Sequence, residues 1–204
     1  FKVPQKLDSA GSTPLLSSGL TVYSATVRAE LQKNSTVAVL GVGGLGSLAL
    51  QFLNKMGHRV YAFSHSPRKK KLIDALGAKY LDSAKLDNSA RYNRKFDFIL
   101  STLNVDFDVD TYLKMLKPRG KFCLVAQPPQ KPAVNLGLLY DYAHRTIYGN
   151  YVGSRKDMTD MLIFSAKHNI ESMVEVMPFA EVNEAIEVVR SGKSSVRVVL
   201  ENRN

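Results

Sequence analysis

A glycine-rich loop, GVGGLG (41–46), is the part of the chain whose residue types and spacing point most directly to chemistry. It follows a short apolar run and opens an amphipathic segment, the strand–turn–helix context that gives G-x-G-x-x-G its meaning. Gly41 permits a tight turn, Gly43 lets backbone N–H groups approach a pyrophosphate, and Gly46 lets the helix pack against the sheet. The helix amino-terminus adds partial positive charge. The pattern predicts a dinucleotide-binding loop, with a merely glycine-rich turn as the alternative.

The segment FSHSPRKKK (63–71), about 20 residues after the loop, bears on which dinucleotide would bind. An NAD site normally presents Asp or Glu there to the ribose hydroxyls, and this segment contains neither. Ser64 and Ser66 can donate hydrogen bonds to a phosphate, and Arg68 or Lys69 can pair with its charge. These residues predict a 2′-phosphate pocket and favour NADP over NAD. The alternative is that the basic run is a solvated helix face, which is our interpretation of its last two lysines.

Strands and helices must bring the loop and the basic segment together. From residue 35 onward, short β-branched runs alternate with longer amphipathic ones, which predicts strands at 35–40, 58–63, 79–82, 96–101, 121–126 and 146–152. Helices are predicted between them at 46–57, 67–78 and 110–120. Apolar strands separated by helices are typical of a parallel sheet covered on both faces. The predicted fold is therefore α/β, a doubly wound Rossmann fold of about six strands in the order 3-2-1-4-5-6.

Composition limits the classes of function. The chain has 204 residues, of which 45% are hydrophobic, enough for a globular core. A net charge of +10 favours anionic partners without choosing among nucleic acid, a membrane surface and phosphorylated small molecules. A single cysteine, Cys123, excludes an internal disulfide framework, and we expect it to be a buried core thiol in a cytoplasmic protein. The sequence shows neither a long apolar run nor the apolar core of a signal peptide, so a soluble protein is expected.

Several stretches resemble the cofactor-binding half of the zinc-type, medium-chain alcohol dehydrogenases, and they cover nearly all of the chain. They are TPLLSSGLTVYSA, GVGGLGSLALQF, FSHSPRKK, FDFILSTLNVD, LKPRGKFCLVAQPP, YGNYVGSRKDMTDML and VNEAIEVVRSGKSSVRVVL. Within that family they are most similar to the NADP-dependent cinnamyl alcohol dehydrogenase branch. The resemblance implies hydride transfer between NADP(H) and an aldehyde or primary alcohol. It also implies that the family's amino-terminal catalytic domain is missing.

The resemblance divides the chain into three parts. Residues 1–34 are expected to be a linker and helix from the catalytic-domain side, and residues 35–152 the NADP-binding core. Residues 153–204 are expected to return toward the catalytic domain. From their periodicity they contain two helices, at 156–169 and 181–192, and two further strands, at 173–177 and 195–200, the last reaching beyond the six-stranded sheet.

The family's zinc is the cofactor that this sequence puts in doubt. The resemblance places Ser17 where the family has a zinc-ligating cysteine in a PLLCAG-like segment. A neutral serine hydroxyl is a poor zinc ligand beside a thiolate, so no zinc is expected here. The histidines show no ligand spacing, and we interpret each as a surface or loop residue, one of them within the phosphate segment; they are His58, His65, His144 and His168.

Other cofactor contacts are implied by the resemblance alone. Thr21 and Thr102 match threonines that contact the cofactor or lie beside it, and Asn150 and Tyr151 match positions near the nicotinamide. No catalytic residue is predicted. The predicted cofactor-binding set is Thr21, Gly41, Gly43, Gly44, Leu45, Gly46, Ser64, Ser66, Arg68, Lys69, Thr102, Asn150 and Tyr151.

Three functions remain open from the sequence. The first is the NADP(H)-binding domain of an oxidoreductase, inactive as an isolated chain and reacting with an aldehyde or alcohol only beside a catalytic domain. The second is an NADP(H)-binding module without turnover. The third, a basic nucleic-acid-binding protein, is weak because the basic cluster coincides with the predicted 2′-phosphate pocket and no nucleic-acid motif appears. No nucleic-acid or membrane partner is therefore expected, and the resemblance makes a homodimer through residues 148–152 plausible.

Overall fold

Six parallel strands form the central sheet, in the order β3-β2-β1-β4-β5-β6. The computed structural model describes residues 1–191, 194 and 196–202. The strands of this sheet are β1 (Thr36–Leu40), β2 (Arg59–Ser64), β3 (Lys79–Asp82), β4 (Phe96–Ser101), β5 (Leu116–Leu124) and β6 (Thr146–Gly149). The predicted fold class and strand order are confirmed.

Helices cover both faces of the sheet. They are α1 (Ser9–Ser12), α2 (Ser18–Arg28), α3 (Gly44–Lys55), α4 (Lys70–Ala75), α5 (Val109–Met115), α6 (Gly137–Tyr140), α7 (Arg155–His168) and α8 (Val182–Arg190). Short 3-10 segments lie at Thr13–Leu16, Pro67–Lys69, Ser83–Tyr92 and Phe179–Glu181.

The central strand β1 is buried on both faces, because successive side chains of a strand point to opposite sides of the sheet. Val37 and Val39 lie in one buried cluster, and Ala38 and Leu40 lie in the other. This explains why the sequence of β1 is continuously apolar and does not alternate between apolar and polar residues.

Aromatic contacts bind the covering helices on each side of the sheet. On the first, Phe52 of α3 lies 5.4 Å from the ring of Tyr23 on α2 and 6.2 Å from that of Phe164 on α7. On the second, Phe63 of β2 packs edge-on against Tyr112 of α5 at 5.5 Å. These edge-to-face and tilted pairs add to the stabilisation that burial provides, and the contact of Phe63 ties the end of β2 to α5.

The helix predicted within 110–120, with Pro118 and Gly120 as its stop signals, ends earlier than predicted. Helix α5 ends at Met115, and Leu116 already lies in β5, paired with Phe96 of β4. A residue before proline is disfavoured in the helical region, so Pro118 excludes Lys117 from the helix. The buried Leu116 then gains a sheet partner instead. The predicted helix at 67–78 is also shorter, a 3-10 turn followed by α4.

The carboxyl-terminal strands form a second, two-stranded parallel sheet. Its strands, β7 (Val174–Pro178) and β8 (Arg197–Glu201), pair with each other across α8. The prediction that the last strand lies beyond the six-stranded sheet is confirmed. The predicted helix at 181–192 and strand at 195–200 each include a residue, 192 and 195, outside the described part of the chain.

Candidate nucleotide-binding site

A cleft of about 380 Å³ opens at the carboxyl ends of β1, β2 and β4. In this strand order the chain reverses direction across the sheet between β1 and β4, which is where open α/β sheets bind ligands. The cleft is lined by the glycine loop, by the end of β2 and by residues after β4. Ser83, Tyr112 and Ala126 also line it, and so does Arg197 of β8, far away in the sequence.

The glycine loop is built so that its first and last glycines touch. Gly41 has a φ of +82°, which side-chain-bearing residues rarely adopt. A Cβ added to Gly46 would overlap the carbonyl oxygen of Gly41 and lie 3.0 Å from its carbonyl carbon. The chain can therefore make this turn from β1 into α3 only with glycine at both positions.

Gly43, in the middle of the glycine loop, has open space where a side chain would be. A Cβ added to Gly43 would meet no atom within 4 Å, and Gly43 caps α3 without any side-chain hydrogen bond. The first N–H groups of a helix have no partner within the helix. Since no side chain caps them here, the loop presents backbone donors and the positive end of a 12-residue helix to the cleft. This arrangement can hold a phosphate or pyrophosphate group.

Thr102, at the end of β4, braces the loop from the other side. Its hydroxyl lies 3.0 Å from the carbonyl oxygens of both Leu40 and Gly41, to which it donates. It also lines the cleft. The threonine assigned to the cofactor by resemblance is thus a residue that fixes the position of the loop.

The end of β2 supplies polar and basic groups to the cleft. Ser64 is buried, and its hydroxyl accepts a hydrogen bond from the backbone N–H of Ser66 at 3.3 Å. The ammonium group of Lys69 donates to the carbonyl oxygen of Val42 in the glycine loop at 2.6 Å. Ser64 and Lys69 line the cleft, whereas Ser66 and the exposed Arg68 do not. His65, which we did not assign to the cofactor, lines the cleft.

Asp82 is the carboxylate nearest in register to this segment, and its side chain already has hydrogen-bond and ion-pair partners. Asp82 pairs with Ser64 across β2 and β3. Its side chain accepts a hydrogen bond from the backbone N–H of Ala84 at 3.0 Å and lies 3.8 Å from the ammonium group of Lys85. It therefore caps the next helical turn.

Arg197 is a second cleft residue, besides His65, that sequence reasoning missed. Its guanidinium group lies against the glycine loop, where a Cβ on Gly44 would be 2.9 Å from the guanidinium carbon. It also donates to the hydroxyl of Ser18 on α2 at 3.2 Å. The only local signal is a cation within the apolar run of β8, and nothing in the spacing connects that run to the loop.

The predicted cofactor contacts Thr21, Asn150 and Tyr151 lie beside a second cavity. The side-chain amide of Asn150, just after β6, donates to the carbonyl oxygen of Thr21 at 3.0 Å and to the Ser24 hydroxyl at 2.9 Å. Tyr151 is 90% exposed. Asn150 and Tyr151 line a cavity of about 380 Å³, and Ala126 lines both this cavity and the main cleft. The two cavities are therefore neighbours across the end of β5.

The donor set around Ser17 does not fit a metal ion. Ser17 is exposed, and its carbonyl oxygen accepts hydrogen bonds from the N–H and hydroxyl of Thr21. Among the residues that the structure describes, no three or more His, Cys, Asp or Glu side chains are grouped so that they could hold a metal. We therefore derive no chemical step through zinc.

The sole cysteine is a core residue, as predicted. Cys123 is fully buried in β5, and burial raises the pKa of its thiol to about 12. A thiol with so high a pKa is not a nucleophile at neutral pH, since the thiolate is the reactive form.

None of the helices described is both long and apolar enough to cross a bilayer.

Comparison with known proteins identifies a matching family model and relatives that include aldehyde reductases. The model of the zinc-binding dehydrogenase family matches residues 44–167, more than half of the chain. The aldehyde reductase AdhA of Synechocystis is 40% identical over 200 residues, which are 98% of this chain and 59% of that protein. The aldehyde reductase YahK of Escherichia coli is 33% identical over 95% of this chain and 56% of its own length.

Two solved structures agree in fold and in family. Cinnamyl alcohol dehydrogenase SbCAD4 from Sorghum bicolor superposes with a TM-score of 0.87 at 31% identity, over 97% of this chain and 56% of that one. The Helicobacter pylori CAD, whose structure was solved in complex with NADP(H), superposes with a TM-score of 0.85 at 29% identity, over 98% of this chain and 57% of that one. The chain thus spans somewhat more than half the length of the relatives it matches, and it belongs to the zinc-binding dehydrogenase family.

Proposed function

We propose that this chain is the NADP(H)-binding part of an alcohol dehydrogenase-like oxidoreductase. The observation that carries the proposal is the open helix amino-terminus at Gly43, in a cleft whose β2 side carries Ser64 and Lys69 and no carboxylate. The names of the relatives support it, because they include aldehyde reductases and a dehydrogenase solved with NADP(H).

The pyrophosphate is proposed to lie over the glycine loop. The uncapped N–H groups of α3 would donate to it, and Gly43 would let it approach the backbone. The guanidinium group of Arg197, already placed against Gly44, would pair with its charge. Gly44 and Leu45 begin α3 and line the cleft at this point.

The 2′-phosphate is proposed to bind at the end of β2. Ser64 and Lys69 already line the cleft there. Ser66 and Arg68 follow within the same turn and remain proposed contacts, which they would make by rotating their side chains toward the cleft. No carboxylate lines the cleft among the described residues, so none would repel this phosphate.

The nicotinamide end is proposed to reach the second cavity past Ala126, beside Thr21, Asn150 and Tyr151. The bound cofactor would supply or accept the hydride exchanged with an aldehyde or a primary alcohol. The chain's own part is to hold the cofactor by its phosphates and to fix the orientation of its reactive end. The described residues show no acid, base or nucleophile constellation in the cleft, so we propose that the isolated chain binds NADP(H) without turnover.

The cellular setting and assembly are also proposals. A single, buried cysteine suits a reducing cytoplasm. Strand β6 lies at the edge of the six-stranded sheet, and edge strands offer unpaired backbone groups to another chain. A homodimer through residues 148–152 would use that edge.

Calorimetric titration of the purified chain with NADPH and with NADH tests the binding proposal. We expect both to bind, NADPH more tightly. If neither nucleotide binds, the proposal is wrong. If both bind with equal affinity, the assignment of the 2′-phosphate pocket is wrong.

Reduction of cinnamaldehyde and benzaldehyde by the same sample, with and without added zinc, tests the catalytic part. We expect no turnover in either condition. Zinc-dependent turnover would show that our interpretation of Ser17 as a poor zinc ligand is wrong.

A further inference from the structure

We infer that His65 determines cofactor specificity in a pH-dependent way: its protonated imidazole binds the 2′-phosphate and makes the preference for NADPH over NADH increase as the pH falls. This inference rests on the proposed function and adds to it a residue and a mode of regulation.

His65 lies where the 2′-phosphate is proposed to bind. It directly follows Ser64, the last residue of β2, and it lines the same cleft as Ser64 and Lys69. It comes before the 3-10 turn that places Lys69 against the glycine loop. A ligand in this cleft can therefore contact both Ser64 and His65.

The imidazole has no evident structural task. The side chain is exposed, and within the described part of the chain it makes no hydrogen bond, ion pair or ring contact. The contrast with two other histidines is clear: His168 stacks on Phe164 with the rings 4.3 Å apart, and His58 has its Nδ1 buried. His65 is thus available to a ligand without breaking a contact of the fold.

The charges around His65 are mostly positive. Lys69 and Arg197 line the cleft with it, and Arg68 and Lys70 follow it in the chain. The other titratable residue that lines the cleft, Tyr112, is neutral, because burial raises its pKa to about 12.

One carboxylate lies in register with Ser64 on the neighbouring strand. The carboxylate of Asp82, one strand away, is engaged with Ala84 and Lys85. A bound 2′-phosphate would place negative charge in this mostly positive cleft and would favour the charged form of the imidazole. Binding of a 2′-phosphate should therefore be coupled to uptake of a proton by His65.

The direction of the effect follows from this coupling. Histidine is the side chain that ordinarily gains its charge between about pH 8 and pH 5. NADH lacks the 2′-phosphate, so only NADPH should respond to that charge. An exposed ion pair contributes up to about 1 kcal/mol, so the ratio of the NADH to the NADPH dissociation constant should rise roughly fivefold from pH 8.5 to pH 6.

Two substitutions separate the charge from the side chain itself. His65→Arg carries a permanent positive charge, so we expect a strong NADPH preference that does not increase as the pH falls. His65→Asn keeps a polar side chain without the charge, so we expect a weaker preference at low pH. His144→Asn is the matched control, because His144 is exposed and lies outside the cleft. Asparagine also tolerates its φ of +48°.

The experiment is calorimetric titration of all four proteins with NADPH and NADH at several pH values between 6 and 8.5. The 2′-phosphate has its own protonation step near pH 6, and it contributes equally to every protein. The informative quantity is therefore the difference between the wild type and His65→Asn at each pH. Titration in buffers of different ionisation enthalpy should show that this difference includes a proton taken up with NADPH.

The outcomes are distinct. A pH-dependent preference in the wild type and in His144→Asn, lost in His65→Asn, supports the inference. If NADPH is preferred but His65→Asn behaves as the wild type, the inference is wrong and the proposed function stands. If the substitution weakens NADPH and NADH equally, the imidazole contacts a part common to both cofactors, and the inference is also wrong. If neither cofactor binds to the wild type, it is the proposed function that fails.

Discussion

The carbonyl oxygen of Gly41 occupies the space that a Cβ atom on Gly46 would need. This contact joins the end of β1 to the first turn of α3, so it belongs to the fold as much as to the site. Gly43, between them, has open space where its Cβ would be. Gly43 therefore has a role separable from that of Gly41 and Gly46, and substitution can test the difference.

We expect Gly46→Ala to destabilise the protein, since the backbone must move to relieve the overlap, by about 2 kcal/mol or more. Gly43→Ala should leave stability within about 0.5 kcal/mol. It should weaken NADPH and NADH binding by roughly tenfold, because the methyl group would keep the pyrophosphate from the N–H groups of α3. Urea unfolding and calorimetric titration measure the two effects. Equal loss of stability in both variants would contradict this division of roles.

Ser64→Asp should abolish the preference for NADPH. The new carboxylate would repel a 2′-phosphate and could accept hydrogen bonds from the ribose hydroxyls of NADH. Like charges brought together at a binding site cost several kcal/mol, so NADPH affinity should fall by roughly a hundredfold while NADH affinity holds or improves. Titration with both nucleotides checks this.

Ser64→Ala serves as the matched control for that experiment. It removes the hydroxyl without adding charge, so its effect on NADPH should be smaller. A variant Ser64→Asp that still prefers NADPH would show that the phosphate binds elsewhere.

Arg197→Gln should weaken both nucleotides, because the pyrophosphate is common to them. Loss of a charge-assisted contact predicts a fall of roughly tenfold to a hundredfold in each affinity. Arg190→Gln on α8 is the control, since Arg190 is exposed and pairs with Glu187 at 2.8 Å outside the cleft. Were the two variants to bind NADPH alike, Arg197 would have no part in binding.

Cys123 should make the fold less stable at alkaline pH. The unfolded chain releases the thiol proton near its ordinary pKa of 9.0, whereas burial raises the pKa of the folded thiol to about 12. The folded state then holds more protons between these values, so stability falls as the pH rises from 9. One proton contributes at most about 1.4 kcal/mol per pH unit.

Cys123→Ala should lower stability at neutral pH, because it leaves a small cavity, and should flatten the alkaline decline. Urea unfolding midpoints between pH 7 and pH 10.5 measure both effects. A thiol reagent offers a separate check, since the native protein should react only as fast as it unfolds. Rapid modification of the folded protein at pH 8 would contradict the buried position of the thiol.

Local patterns gave a correct account of the sheet but a poorer account of where α5 ends. The strands at 79–82 and 96–101 were predicted with the bounds that the structure shows. The pattern indicated a helix stopped by Pro118 and Gly120, and the structure ends it at Met115, because pairing of Leu116 with Phe96 depends on a partner 20 positions away in the chain. Such a partner leaves no trace in a local period.

The candidate site divides in the same way. The sequence identified the glycine loop, Ser64 and Lys69, and the structure brings them to one cleft. It did not identify His65 or Arg197 as cleft residues. It also grouped Ser66 and Arg68 with the phosphate pocket, although neither lines the cleft. Which face a side chain takes within a short turn is set by packing rather than by residue type.

The sequence by itself determined the fold class, the strand order, the loop and the family, because these follow from apolar periods, from sterics that only glycine satisfies, and from motifs read over short distances. The tertiary structure alone decided that Arg197 lies on Gly44 and that Asn150 binds Thr21. Those contacts join residues more than a hundred positions apart. They exist only because the folded sheet and its helices bring the distant segments together.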